Sequence, residues 1–455
     1  MRTIYLKFFA IVIGALFLFN FNLNAQDQEE KIKNLEEKLR QLELQLAQIQ
    51  TFEKQREQLI REIEALKEEI RRLRLETAMQ EIELKSYFGL GPAASKIYYT
   101  PRGLSIAGYG EITYENYLDQ TKTDRGDVLR FIPYIGYKFS DKILVNSELE
   151  IEHAGIGNVG EREPEVYVEF LYVDFLLSDK FNVRTGLFLL PVSRMNEFHE
   201  PPVFFGTLRP DVERFIIPTV WRDIGVMVYG EFVNGLTYKA GLVNGLRTDL
   251  ISDWISAGRQ RGAKVNFDKF AGVFRVEFQG VKNLILGGSV YHGAGSDEEG
   301  GSEVGTEEAK FTLLTFEGQY QFENLFLKGL YAFGKSDGNI AYKSRAGRAS
   351  KVYGWYVEGS FNLVPILYPE SIVSFSPFLR YERYDLNQNV FTGLPNPEKN
   401  RSVLTFGLDF KPHPQVVIKA DYQIRDTKSD LPAGKGSGKD EWKINQFNLG
   451  VGFIF

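Results

Sequence analysis

The chain has 455 residues, 43% of them hydrophobic, with 36 Phe, 23 Tyr, 43 Gly and no Cys. Without Cys there are no disulfides to stabilise it, and a formal charge of -6 with well-mixed signs offers no basic face for a nucleic acid. Beyond the N-terminus no stretch reaches roughly 18 uninterrupted apolar residues, which excludes a helical membrane span.

The first 25 residues have the three parts of a secretory signal: Arg2 and Lys7, an apolar run from Phe8 to Phe21, and a small residue, Ala25, closing the segment. Removal after Ala25 is expected. Residues 26–85 change to Glu, Lys, Arg, Gln and Leu, with neither Gly nor Pro. Ile32, Leu35, Leu39, Leu42, Leu46 and Ile49 follow the three-and-four spacing of a coiled-coil seam. A second series, Phe52, Leu59, Ile63, Leu66, Ile70 and Leu73, holds Arg56 in one core slot and restarts three residues after Ile49, a stammer. Such a helix would be on the order of 80 Å long. Its seam demands a partner helix, and mixed Ile and Leu leave dimer or trimer open. Residues 86–102 read as a linker in which Gly89, Gly91, Pro92 and Pro101 break any helix.

From 103 to 455 the period is two. Val416, Ile418, Ala420, Tyr422 and Ile424 oppose Val417, Lys419, Asp421, Gln423 and Arg425, and Ile143, Val145, Leu149 and Ile151 oppose Asn146, Glu148, Glu150 and Glu152. Sixteen strand-like segments begin near 103, 127, 142, 165, 181, 222, 235, 272, 283, 310, 324, 351, 371, 401, 415 and 442. The even count, the alternation of tight turns with long polar connections, and aromatics at strand ends such as Tyr137, Phe139, Tyr320, Phe322 and Phe410 all fit one architecture. The expected fold class is all-β: a transmembrane antiparallel barrel of about 16 strands, preceded by the α-helical coiled coil. The expected site is the bacterial outer membrane, with bilayer and lipopolysaccharide as surroundings and the coil in the periplasm. Phe447, Leu449, Val451, Phe453 and Phe455 alternate along the last strand, which resembles the terminal strand that outer-membrane proteins present to their barrel-insertion machinery.

The longest break in the pattern is Leu190 to Trp221, LPVSRMNEFHEPPVFFGTLRPDVERFIIPTVW, the third external loop by strand count. We expect it to fold into the lumen and constrict a channel, with Arg194, Glu197, His199, Arg209 and Arg214 at the constriction. Its three Arg against Glu197, Glu200, Asp211 and Glu213 leave it at about -1, which predicts no anion trap. By strand parity the lumen wall carries Arg130, Arg184, Lys239, Arg275, Arg380 and Lys419, with Lys138, Lys328 and Arg425. Inward acids, among them Glu148, Glu150, Glu169, Glu277 and Asp421, are nearly as many.

Gly186 to Pro191 followed by this loop, Arg222-Asp-Ile-Gly225 through Tyr229-Gly230, Tyr238 to Gly245 and Leu286 to Tyr291 together resemble the phosphate-selective porin O and P family. The resemblance covers roughly 103–455. It implies a trimeric sixteen-stranded channel, a third loop folded inward, and anion selectivity set by lumen Arg and Lys.

The external segment with Lys335, Lys343, Arg345, Arg348 and Lys351 against Asp337 leans basic, which would draw anions to the mouth or bind lipopolysaccharide phosphates. The loop from Asp297 to Glu308 is as acidic. Four scattered His, none in a metal-binding spacing, call for neither a metal nor a cofactor, and His199 beside Glu197 and Glu200 is the sole local candidate for catalysis. No enzyme is expected. The expected function is a diffusion channel for small hydrophilic solutes or ions, with anions such as phosphate among the candidates. The alternative is an outer-membrane anchor whose coil tethers the barrel to peptidoglycan or a periplasmic partner.

Overall fold

A computed structural model describes residues 85–455, apart from Pro101, 155–164, Thr219, 296–307 and Asn339, together with positions 33, 36–38, 40, 64–67 and 69. The signal peptide lies outside the described residues. So does most of the coiled coil: its few described positions are helical, and of its seam residues only Leu66 is among them.

Sixteen antiparallel strands close into a barrel, each hydrogen-bonded to its neighbours in sequence, with the last paired to the first. They are β1 Gly103–Tyr117, β2 Arg125–Ser140, β3 Ile143–Glu152, β4 Val166–Ser178, β5 Phe181–Leu189, β6 Arg222–Val233, β7 Leu236–Asn244 and β8 Phe270–Phe278. They continue as β9 Leu284–Ala294, β10 Lys310–Phe322, β11 Leu325–Asp337, β12 Ala349–Phe361, β13 Ser374–Val390, β14 Asn400–His413, β15 Val416–Thr427 and β16 Gln446–Ile454. Closure leaves no unpaired sheet edge, and every expected strand start falls within four residues of an observed one.

Parity sorts the faces. On β15 Lys419, Asp421 and Gln423 are buried, whereas Ile418 and Ile424 are more than two-fifths exposed. Outward-facing Phe131, Ile135, Phe274, Leu242, Phe316, Leu379 and Phe406 extend that apolar exterior around the barrel. In water such a surface would cost tens of kcal/mol at about 25 cal/mol per Å2; hydrocarbon removes that cost.

The interior is filled with protein. The long connection between β5 and β6, here L3 (190–221), enters from the long-loop end and is buried along most of its length. From the short-turn end enters the segment before β1. Expected to be a linker, it carries a helix, α1, Pro92–Tyr99. Pro92 begins that helix rather than breaking it, because the first turn has no use for the N–H that proline lacks. Leu90, Ala93, Ala94, Ile97 and Tyr98 of this segment are buried together with Ala107, Ile132 and Leu144 of the inner wall. The lumen therefore contains an apolar core as well as the polar lining expected of a channel.

Candidate functional site

The neck of L3 is closed by one side chain. Asn196 donates to the carbonyls of Leu190 at 2.7 Å and Trp221 at 2.9 Å and accepts from the Trp221 amide at 2.8 Å. Asn196 reaches this position because Ser193 caps the single helical turn Arg194–Glu197, accepting from the Asn196 amide at 3.1 Å. Below the neck, Leu190, Val192, Val212, Ile216, Ile217 and Trp221 are fully buried in the core. Each contributes on the order of 2 kcal/mol by burial.

L3 is tied to both sides of the barrel. On the near side Arg194 pairs with Glu277 at 2.9 Å and its amide donates to Glu317 at 2.6 Å, while Lys239 bonds Glu197 at 2.5 and 2.6 Å. On the far side Arg380 donates to the carbonyls of Phe205 and Leu208, Lys419 donates to that of Phe204 at 2.7 Å, and the Thr207 amide reaches Asp421 at 2.6 Å. Asp211 accepts from Arg425 at 2.6 Å, Tyr384 at 3.0 Å and Arg214 at 3.2 Å. Glu213 accepts from Ser193 and Tyr356.

The expected constriction residues thus lie inside the barrel with their charges engaged. Arg194 and Glu197 are paired to the wall, Arg209 donates to the His199 carbonyl at 3.3 Å, and Arg214 is partly exposed beside Asp211. These cations do not form a free filter, because Glu277 on the wall engages Arg194 and Asp211 within L3 engages Arg214. The wall cations are likewise spoken for. Arg275 pairs with Glu277 at 2.6 Å and Glu317 at 2.7 Å, Arg380 with Glu382 and Glu358, and Arg130 lies 3.7 Å from Glu111. Arg184 faces α1 instead of L3. His199 does not meet Glu197 or Glu200; its Nε2 points to Glu169 at 3.7 Å and Glu148 at 4.0 Å. Burial first, then Arg209 and Arg130, lowers the pKa of this loop imidazole well below its usual range, so it is neutral.

Three features were not anticipated from sequence. The first is the junction of α1 with L3, where both oxygens of the Glu200 carboxylate accept from the Ala93 amide at 2.9 and 3.0 Å and one accepts from that of Ala94 at 3.1 Å. The carboxylate thereby satisfies two free N–H groups at the helix N-terminus. Gly91 permits the approach, since a Cβ there would collide with Glu200. Burial pushes the Glu200 carboxyl up to about 7, while the two amides pull it down. The second is a latch on α1: Asp174 accepts from Tyr98 at 2.5 Å and from Arg184 and Tyr229 at 2.9 Å, and the guanidinium lies 4.0 Å from the Tyr172 ring centre. The third is the β7–β8 connection, whose buried Trp254 donates to the Ile216 carbonyl at 3.0 Å and braces L3 from above. A signal for the α1 seat was present in the sequence: Ile132 and Leu144 fall at inward positions where a wet lumen would want polar groups. In the basic external segment, Arg348 is buried against the Thr248 carbonyl at 2.7 Å, so only part of that charge faces solvent.

No family model matches the chain. An uncharacterised protein of Aquifex aeolicus is 36% identical over 369 residues, 78% of this chain and 83% of that one. The chain belongs to that protein's family. Among solved structures, the barrel is similar to OmpF of Salmonella typhi, solved in complex with daunomycin, with a TM-score of 0.52 at 11% identity over 77% of this chain and 97% of that one. It is also similar to a loop L8 deletion mutant of OmpT, an outer membrane protein of Vibrio cholerae, with a TM-score of 0.50 at 12% identity over 77% and 99%. At such identity the likeness is one of fold: the family builds a porin-type barrel.

Proposed function

We propose that the protein is an outer-membrane diffusion channel for small hydrophilic solutes or ions, constricted by L3 and closed by α1 in the conformation described. The observation that carries this reading is a sixteen-stranded barrel with an apolar exterior whose interior is occupied by a charged loop and a short docked helix, both packed on an apolar core of the inner wall. α1 is the smaller and less embedded of the two inserts, so its release is the opening step. The charges on L3 and on the wall pair across the lumen, which supports weak ion selectivity over a phosphate ladder. Anions remain within the solute class.

The test is conductance in planar bilayers for the full chain, for a chain lacking residues 86–101, and for one lacking 196–208. Removing either insert should raise the stepwise conductance. If neither the full chain nor the two deletions conducts, the channel reading fails.

A second reading, the anchor, is favoured by the latch itself. Asp174, Arg184 and Tyr98 hold α1 at the short-turn mouth, and Tyr99 donates to the Ser86 carbonyl there, on the side from which a periplasmic coil would hang. Cosedimentation of residues 26–90 with purified peptidoglycan tests it.

A further inference from the structure

We propose that Glu148, Glu169 and His199 bind a divalent transition-metal cation of the Zn2+ or Mn2+ class, pinning L3 to the barrel wall. One donor atom from each of the three lies within 4.8 Å of the others. All three side chains are buried, at 0%, 0% and 2% exposure. All four carboxylate oxygens and the imidazole Nε2 lack a hydrogen-bond partner. Five orphaned polar atoms on three neighbouring side chains are costly, because each has given up its hydration for no partner in the protein.

The backbone is arranged to create this convergence. Across β3 and β4, Glu148 faces Phe170, but the next residue, Leu149, faces Val168. Glu169 is therefore the extra residue of a β-bulge, and both Glu169 and Phe170 turn inward where strict alternation would send one of them to lipid. The imidazole is oriented as a ligand: with Nδ1–H donating to the Asn196 carbonyl at 3.1 Å, the neutral ring presents the Nε2 lone pair to the carboxylates. Asn196 is also the residue that closes the L3 neck, so the site is coupled to the loop's anchorage.

Nearby cations donate no hydrogen bond to the three side chains. Arg130 lies against Glu111 and Glu152, Arg209 donates to the His199 carbonyl, and Arg222 donates to the Val220 carbonyl and stacks 4.6 Å from the Tyr167 ring centre. Two buried carboxylates within 4.8 Å of each other repel strongly. A dication reverses the sign of that interaction. Metal–ligand bonds of about 2.0–2.2 Å place tetrahedral donors about 3.3–3.6 Å apart, so the 3.7 and 4.0 Å separations of Nε2 from the two carboxylates need close by only a few tenths of an ångström on binding. An imidazole with two carboxylates favours a first-row transition ion over Ca2+ or Mg2+.

The test is equilibrium dialysis of the folded, detergent-solubilised full chain against Zn2+ or Mn2+ alone, with metal measured by mass spectrometry. We expect about one equivalent per chain, and an affinity lower by on the order of 100-fold in E148Q/E169Q and in H199A but unchanged in E370Q, a change at an exposed residue. Should the variants misfold, Co2+ added to the wild-type chain decides the matter by giving the visible absorption bands of a nitrogen- and oxygen-ligated ion. A wild-type chain that holds neither metal and gives no Co2+ bands, its two carboxyls sharing a proton, would overturn the proposal, as would full metal retention in folded E148Q/E169Q.

Discussion

Replacing Glu200 with Ala isolates the contact between the two inserts. The carboxylate receives three hydrogen bonds from two amides at the start of α1 and is 1% exposed. Its removal leaves two buried N–H groups without acceptors, at about 1–3 kcal/mol each. A loss of about 3 kcal/mol, in the lower half of the summed range, raises the ratio of undocked to docked helix roughly 150-fold, since 1.4 kcal/mol is tenfold. Hydrogen exchange at the Ala93 and Ala94 amides should accelerate by that factor, and single-channel recordings should show more frequent openings. E200Q keeps an acceptor and removes the buried charge, so it separates the two effects.

The docked carboxyl has a pKa pushed up to about 7, above its ordinary 4.5. Docking is thus favoured in full below about 4.5 and loses that contribution as pH rises through about 7. Wild-type openings should increase from about pH 5 to about pH 8. In E200Q that dependence should flatten, with α1 held more firmly than in wild type at the upper end. Unchanged exchange and current in E200A would refute the assignment of Glu200 as the link between L3 and α1.

Asn196→Ala strips the L3 neck of three buried hydrogen bonds and should cost about 3 kcal/mol, seen as faster exchange at the Trp221 amide and noisier current. Asp174→Asn should weaken the hub of Tyr98, Arg184 and Tyr229 by about 3–5 kcal/mol, because Arg184 is left buried without its counter-charge; limited proteolysis near residue 90 reads the release of α1. Gly186→Ala should lower the melting temperature of the barrel, since Gly186 sits at φ +128° and a Cβ would lie 2.5 Å from the Leu171 carbonyl oxygen. In a salt gradient the opened pore should give a small reversal potential, because L3 and wall charges cancel; a large anionic potential would show that unpaired cations govern permeation.

The sixteen strands were legible because strand parity and turn chemistry are local properties, and lipid outside a polar lumen writes them plainly into residues such as Ile418 beside Lys419. The inward course of L3 was legible from its length, its prolines and the porin resemblance. Less visible was how its charges would be spent. Arg194 and Glu277 are more than eighty positions apart, and only barrel closure brings them together. The α1 segment is hidden from sequence for a related reason. Pro92 and Gly91 look like helix breakers in isolation, yet one starts the helix and the other admits the Glu200 carboxylate that completes its first turn.

The sequence by itself determined the barrel, its strand count, its faces and the loop that enters it, because these depend on alternation within a few residues. Tertiary structure alone decided which charges cancel, that the segment before β1 returns into the lumen, and that a bulge in β4 turns Glu169 toward Glu148 and His199. Those outcomes depend on register and closure across distant strands, and no local pattern encodes them.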